Sequence, residues 1–268
     1  MKILFIGDIM GKPGRRAVRE LLPKAVKDHD IDFVIANCEN AASGFGVTRD
    51  IVDELLRYDI DVLTSGNHIW DKKEVMDFID DYENLLRPAN YPGMNPGYGS
   101  TVLSAVTGDP VGVINLEGRV FMRSLDCPFK KAKEETEKLK GRAGIVIVDM
   151  HAEATSEKRA LGWFLDGQVT AVLGTHTHVQ TADNEVLPGG TAYITDVGMT
   201  GPFDSVIGIK TPAVLDRFLS QIPNRFDVAK RDIRMQGVVL DVDEETGKSR
   251  SIMRISVKLE EKTERGLI

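Results

Sequence analysis

The chain has 268 residues, 42% hydrophobic and 28% charged, with a formal net charge of −7 and a pI near 5.4. That is the composition of an ordinary globular protein long enough to bury a sizeable core, and its acidity argues against a broad basic surface for duplex DNA or anionic lipid. Two cysteines, Cys38 and Cys127, are too few for a disulfide framework or a thiolate metal site, and no apolar run approaches the ~18 residues of a membrane span, so a cytoplasmic location is the default expectation.

Strand-like and helix-like segments alternate at the spacing of βαβ units, so residues 1–268 read as a single α/β domain. Asp8 cuts off the first apolar run, making residues 2–7 a strand rather than a signal peptide. Pro13 opens a helical pattern with Ala17, Val18, Leu21 and Leu22 on one side, and residues 31–36 form the second strand. A polar, glycine-rich loop over 37–46 leads to a helix capped by Thr48 and running to about Tyr58. A strand over 61–64 and a helix over 72–80 follow. The Pro- and Gly-rich stretch 88–99 is an irregular loop. Strands are expected over 100–106 and 110–116, a charged helix over 129–142 and a buried strand over 145–149. A helix from Ser156 leads to strands over 169–173 and 192–195. A glycine-rich loop over 198–208 precedes two last strands, 235–243 and 251–258, joined by a turn through 244–248. The charged tail, 260–265, is expected to fray.

Five of these strands end in residues that can bind metal: Asp8, Glu39 with Asn40, Asn67 with His68, His151, and the pair His176 and His178. In α/β sheets, ligand sites form outside the carboxyl ends of strands. In extended backbone, residues two apart point to the same side, so His176 and His178 can reach one site. Of the five histidines only His29, in a charged helix end, lies elsewhere. Two carboxylates, two amides and three imidazoles form an all-oxygen-and-nitrogen set suited to Mn, Fe or Zn. Two divalent cations so held can share a bridging hydroxide, a nucleophile ready at neutral pH, and their residual positive charge suits a phosphate ester.

Gly7-Asp8, Glu39-Asn40, Gly66-Asn67-His68, His151 and Gly174-x-His176-x-His178 resemble, in order, the motifs of calcineurin-like metallophosphoesterases. The details resemble the bacterial YmdB-like branch over nearly the whole chain. The superfamily's usual Asp-x-His is here Asp8-Ile9-Met10, without a histidine, and its bridging Asp is Glu39; both departures match that branch. The resemblance implies a four-layer α/β/β/α sandwich. It implies Asp8, Asn40 and His178 on one metal, Asn67, His151 and His176 on the other, Glu39 bridging, and His68 protonating the leaving oxygen. It implies two metal ions, iron or manganese, and hydrolysis of 2′,3′-cyclic nucleotides and related phosphodiesters to monophosphates.

Singly, each motif has an ordinary alternative: Asp8 as a helix cap, Asn67-His68 as a tight turn, Glu39-Asn40 as a solvated loop, His151 as a packed core histidine. Their joint occurrence at strand ends favours the dimetal reading. Rival readings are a phosphomonoesterase or protein phosphatase on the same centre, and a metal-binding regulator with little turnover. The partner expected is a small phosphodiester or nucleotide, with RNA ends as a further substrate class and no duplex DNA or membrane. Metal identity, the natural nucleotide and the oligomeric state, a homo-oligomer included, stay open. Phe45 is read as a substrate wall or a loop tip, the 198–202 loop as a phosphate-binding backbone or a plain turn, and Cys38 as a packed neighbour of the site.

Overall fold

The computed structural model describes residues 1–260; most of the charged tail therefore lies outside the described residues. The elements in chain order are β1 (Lys2–Ile6), β2 (Asp8–Ile9), α1 (Gly11–His29), β3 (Phe33–Asn37), α2 (Arg49–Leu56), β4 (Val62–Thr64), β5 (Ser100–Ser104), β6 (Pro110–Glu117), α3 (Pro128–Leu139), β7 (Ile145–His151), α4 (Thr155–Leu165), β8 (Ala171–Thr175), β9 (Glu185–Val186), β10 (Ala192–Ile194), β11 (Met199–Pro202), α5 (Thr211–Ser220), β12 (Ile233–Val242) and β13 (Ser249–Lys258).

Two mixed sheets stack face to face. The first has the order β2-β11-β12-β1-β3-β4, with β13 paired to β12; the second runs β5-β6-β7-β8-β10-β9. Within the first, β1, β3 and β4 are parallel; within the second, β6, β7, β8 and β10 are parallel and the two edges antiparallel. Strands covered on both faces need apolar side chains in both directions, which is why β1, β3 and β7 read as continuous apolar runs instead of alternating ones.

Three cores follow from that period of two. Ile3, Phe5, Phe33 and Ile35 face Val113, Ile147, Leu173 and Ile194 between the sheets. Their neighbours Leu4, Ile6, Val34 and Ala36 point the other way, onto Val18 and Leu22 of α1 and Val52 and Leu55 of α2. On the far side, Ile114, Val148 and Val172 pack on Ala132 of α3 and Leu161 and Leu165 of α4. Each buried large side chain here stabilises by roughly 1.5–3 kcal/mol, and together they fix an α/β/β/α sandwich, the expected architecture.

The differences are local. Residues 72–80 form two short 3₁₀ turns, Lys73–Asp77 and Ile79–Asp81, in place of a continuous helix. The expected loop 198–208 contains β11, which pairs Met199 with Asp8 and Thr200 with Ile9. Sequence reading gives no helix over Thr211–Ser220; α5 carries apolar residues at helical spacing, Val214, Leu215, Phe218 and Leu219, but buries only Val214 and leaves the other three exposed.

Candidate metal centre

Parallel strands of both sheets end at one edge. Asp8 follows β1, Glu39 and Asn40 follow β3, Asn67 and His68 follow β4, His151 is the last residue of β7, and His176 and His178 follow β8. All seven expected donors and His68 come together there, and Glu39, His151 and Asp8 are almost fully buried.

The donors form two adjoining clusters. In one, His151 Nε2 lies 3.1 Å from Glu39 Oε1, 3.0 Å from Asn67 Oδ1 and 3.0 Å from His176 Nδ1. One imidazole nitrogen can satisfy one such partner by hydrogen bonding, so three converging on it match donors aimed at a common point. The donor atoms of Glu39, His151 and His176 all lie within 4.8 Å of one another. In the other cluster, His178 Nε2 lies 3.1 Å from the Asn40 amide and 3.6 Å from Asp8 Oδ1. Asn40 presents Nδ2 there, and a half-turn of the amide exchanges it for Oδ1, the atom a cation needs. Glu39 Oε1 touches both clusters, since it also accepts from Asn40 Nδ2 at 3.2 Å.

The residues behind the donors set which nitrogen points inward. Asn37 donates to Asp149 Oδ2 at 3.1 Å, and Thr175 Oγ1 donates to Asp149 Oδ1 at 2.7 Å. Thr175 is thereby left to accept from His151 Nδ1–H at 2.9 Å, which makes Nε2 the nitrogen that faces the cluster. The Ile207 carbonyl accepts from His178 Nδ1–H at 2.9 Å with the same result, and Glu153 Oε2 lies 3.3 Å from His176 Nε2, leaving Nδ1 inward. His176 and His178 both have positive φ, 99° and 63°, because the chain turns back after β8 to aim both rings at the edge. Their shared direction thus comes from two left-handed residues and not from extended backbone. Glycines make room: a Cβ on Gly66 would sit 2.1 Å from the His151 ring. Asp149, Thr175, Glu153 and the Ile207 carbonyl are absent from the sequence reading; Thr175, wedged between Gly174 and His176, carried the one signal available.

The electrostatics fit a cation. Asp8 Oδ1 is buried with no hydrogen-bond partner, an atom that is expensive to bury without a positive neighbour. Burial opposes charge on Asp8, yet His178 and His151 hold its carboxyl well below the usual range, and Glu39 is lowered in the same way, against burial, chiefly by His151. Burial likewise opposes a charged His151, but the Glu39 carboxylate overrides it and pushes the imidazole up to about 9. His176, desolvated and beside His151, drops to about 3 and stays neutral. Burial opposes charge on His178 as well, but Asp8 raises it, so the carboxylates draw positive charge toward both clusters, and the hard oxygen and nitrogen donors suit divalent ions in that place.

A cavity of about 340 Å³ opens onto the donors, walled by Phe45, His68, Glu153, Ile207 and Phe226. Asp71 Oδ2 holds His68 Nδ1 at 2.7 Å, leaving Nε2 as the atom able to act toward the cavity, and Phe45 packs edge-on to the imidazole at 5.0 Å. Phe45 is thus a wall residue. Two amides of the 198–202 loop are committed elsewhere, Gly198 N–H donating to Asp196 and Met199 N–H to Gln236, and the Thr200 carbonyl accepts from Met10 N–H. Cys38 is buried, with burial pushing its thiol up, as a packed neighbour would be.

The profile of a family described as "YmdB-like protein" matches residues 4–255. The 2′,3′-cyclic-nucleotide 2′-phosphodiesterase of Bacillus subtilis (strain 168) is 51% identical over 257 residues, 96% of this chain and 97% of that protein. The crystal structure of a hypothetical protein from Thermus thermophilus superposes with a TM-score of 0.90 at 44% identity, covering 96% of this chain and 99% of that one. The crystal structure of a novel phosphatase from Mycoplasma pneumoniae also gives 0.90, at 35% identity, covering 96% and 93%.

Proposed function

The chain belongs to the YmdB-like family, and on that premise we propose that it is a metal-dependent phosphodiesterase that opens 2′,3′-cyclic nucleotides to nucleoside monophosphates. The observation that carries the reading is the convergence of seven donors, one carboxylate touching both clusters, on the wall of a cavity that also holds His68.

Asp8, Asn40 and His178 would hold one ion, Asn67, His151 and His176 the other, with Glu39 between them. Iron or manganese fits these donors. When bound, two such ions supply Lewis acidity toward the phosphoryl oxygens and lower the pKa of water at the site. The chain's own residues do the rest. Phe45, Ile207 and Phe226 give the cavity an apolar side against which a nucleoside can lie, turning its cyclic phosphate toward the donors. Water attacks phosphorus and releases one proton to solvent, the bond to the ribose 2′ oxygen breaks, as in the name of the Bacillus relative, and His68 Nε2 delivers a proton to that departing oxygen. Asp71 keeps the His68 ring oriented for the transfer.

The test is turnover of 2′,3′-cAMP by purified protein before and after chelation, with Mn²⁺ or Fe²⁺ added back and p-nitrophenyl phosphate as a monoester control. Metal-dependent opening of the cyclic diester, faster than monoester hydrolysis, is the expected result. Preference for the monoester would make the protein a phosphatase instead.

A further inference from the structure

Phe226 belongs to two depressions at once. It walls the cavity beside the metal donors and also a neighbouring groove of about 590 Å³. That groove is lined by Lys12, Arg16, Lys210, Arg225 and Lys230, with Asp227 the one carboxylate among its lining residues. Asp227 pairs with Lys210 at 3.1 Å and Arg225 at 3.8 Å, and Arg16 is shared with Glu20 at 2.9 Å. Lys12 and Lys230 form no ion pair among the described residues. In a chain of net charge −7, five cations against one carboxylate in a single groove invert the local field. Such an inversion attracts polyanions to one track and leaves the acidic remainder of the surface repelling them.

We propose that this groove holds the backbone phosphates of a single-stranded RNA whose terminal 2′,3′-cyclic phosphate lies in the cavity. The inference rests on the phosphodiesterase reading and adds its substrate: an RNA end rather than a free mononucleotide. A 2′,3′-cyclic mononucleotide has no further phosphate to reach the groove, whereas a strand places its next phosphates on the 5′ side of the reacting nucleotide. Phe226 stands where the chain would pass from groove to cavity, and Arg217 braces its ring at 5.3 Å, an arrangement suited to stacking an unpaired base. A duplex would need a wider basic face than one groove offers. Hydrolysis at the cyclic end consumes one water, frees the 2′ hydroxyl and leaves a 3′-phosphate terminus.

The test compares wild type with the triple variant Lys12→Ala, Arg225→Ala, Lys230→Ala on two substrates, 2′,3′-cAMP and a short RNA ending in 2′,3′-cyclic phosphate. Fluorescence anisotropy with the same RNA ending in a 3′-phosphate measures binding apart from turnover. Wild type should process the strand at least about ten times more efficiently than the mononucleotide. That advantage should fall about 10-fold between about 50 and 200 mM salt, as two to three phosphate contacts imply. The triple variant should lose the advantage and the RNA binding while keeping its kcat/KM on 2′,3′-cAMP. Equal efficiency on the two substrates with binding untouched by the triple substitution would overturn the groove, as would duplex DNA binding as well as the strand. If neither substrate is turned over but strand binding is present and lost in the variant, the phosphodiesterase reading fails and the groove stands as an RNA site.

Discussion

The two donor clusters are built differently. His151 is carried on β7 and braced by a chain of buried side chains, Thr175, Asp149 and Asn37, that determines which nitrogen faces inward. His178 sits in a turn at positive φ and is oriented by the carbonyl of Ile207, itself half-exposed and at φ 45°. A side-chain brace inside a sheet is stiff, while a loop carbonyl moves with its loop. The His151 cluster should therefore be preorganised and hold its ion more tightly, and the His178 cluster should fill second and empty first.

Glu39 belongs to both clusters, so Glu39→Gln should abolish the comparison: both ions are lost, and turnover falls further than any loss of a proton donor could explain, beyond about 10⁴-fold. Metal content by elemental analysis alongside turnover checks it. His68→Ala should leave both clusters loaded and reduce turnover by about 10²- to 10⁴-fold. Unchanged turnover in a fully loaded His68→Ala protein would remove that residue from the chemistry. Thr175→Val removes the acceptor behind His151 alone, and metal affinity at that cluster should weaken by about 10- to 100-fold with the second site unchanged; a two-site calorimetric titration resolves the pair.

A smaller effect comes from pH. A charged imidazole cannot ligate, and His151 is pushed up to about 9, so an ion entering its cluster must displace a proton. Affinity there should climb as pH rises toward about 9 and level off above it. The heat of binding should differ between buffers of unlike ionisation enthalpy below that pH and converge above it. Buffer-independent heats at pH 7 would contradict it.

Much of this was readable from residues alone. The strands that carry the donors are buried on both faces, and their apolar runs stand out; each ends abruptly in a polar residue, which exposed Asp8, Glu39, Asn67, His151 and His176. The remainder depended on tertiary contacts that leave no local mark. β11 holds only Met199–Pro202 and is a strand because β2 and β12 lie on either side of it, not because of its propensity. Residues 72–80 carry helical spacing but tighten into 3₁₀ turns. Glu153 gives no signal apart from its place beside His176, and the five cations of the groove come from chain positions as far apart as Lys12 and Lys230.

The central claim is a pair of cations held at one edge of the sandwich. It is tested most directly by anomalous diffraction from crystals of the manganese-loaded protein. Two peaks are expected on either side of the Glu39 carboxylate, one within coordination distance of His151 Nε2 and His176 Nδ1, the other of His178 Nε2 and Asp8 Oδ1. A map without a peak at either cluster, or with manganese bound away from these residues, would contradict it.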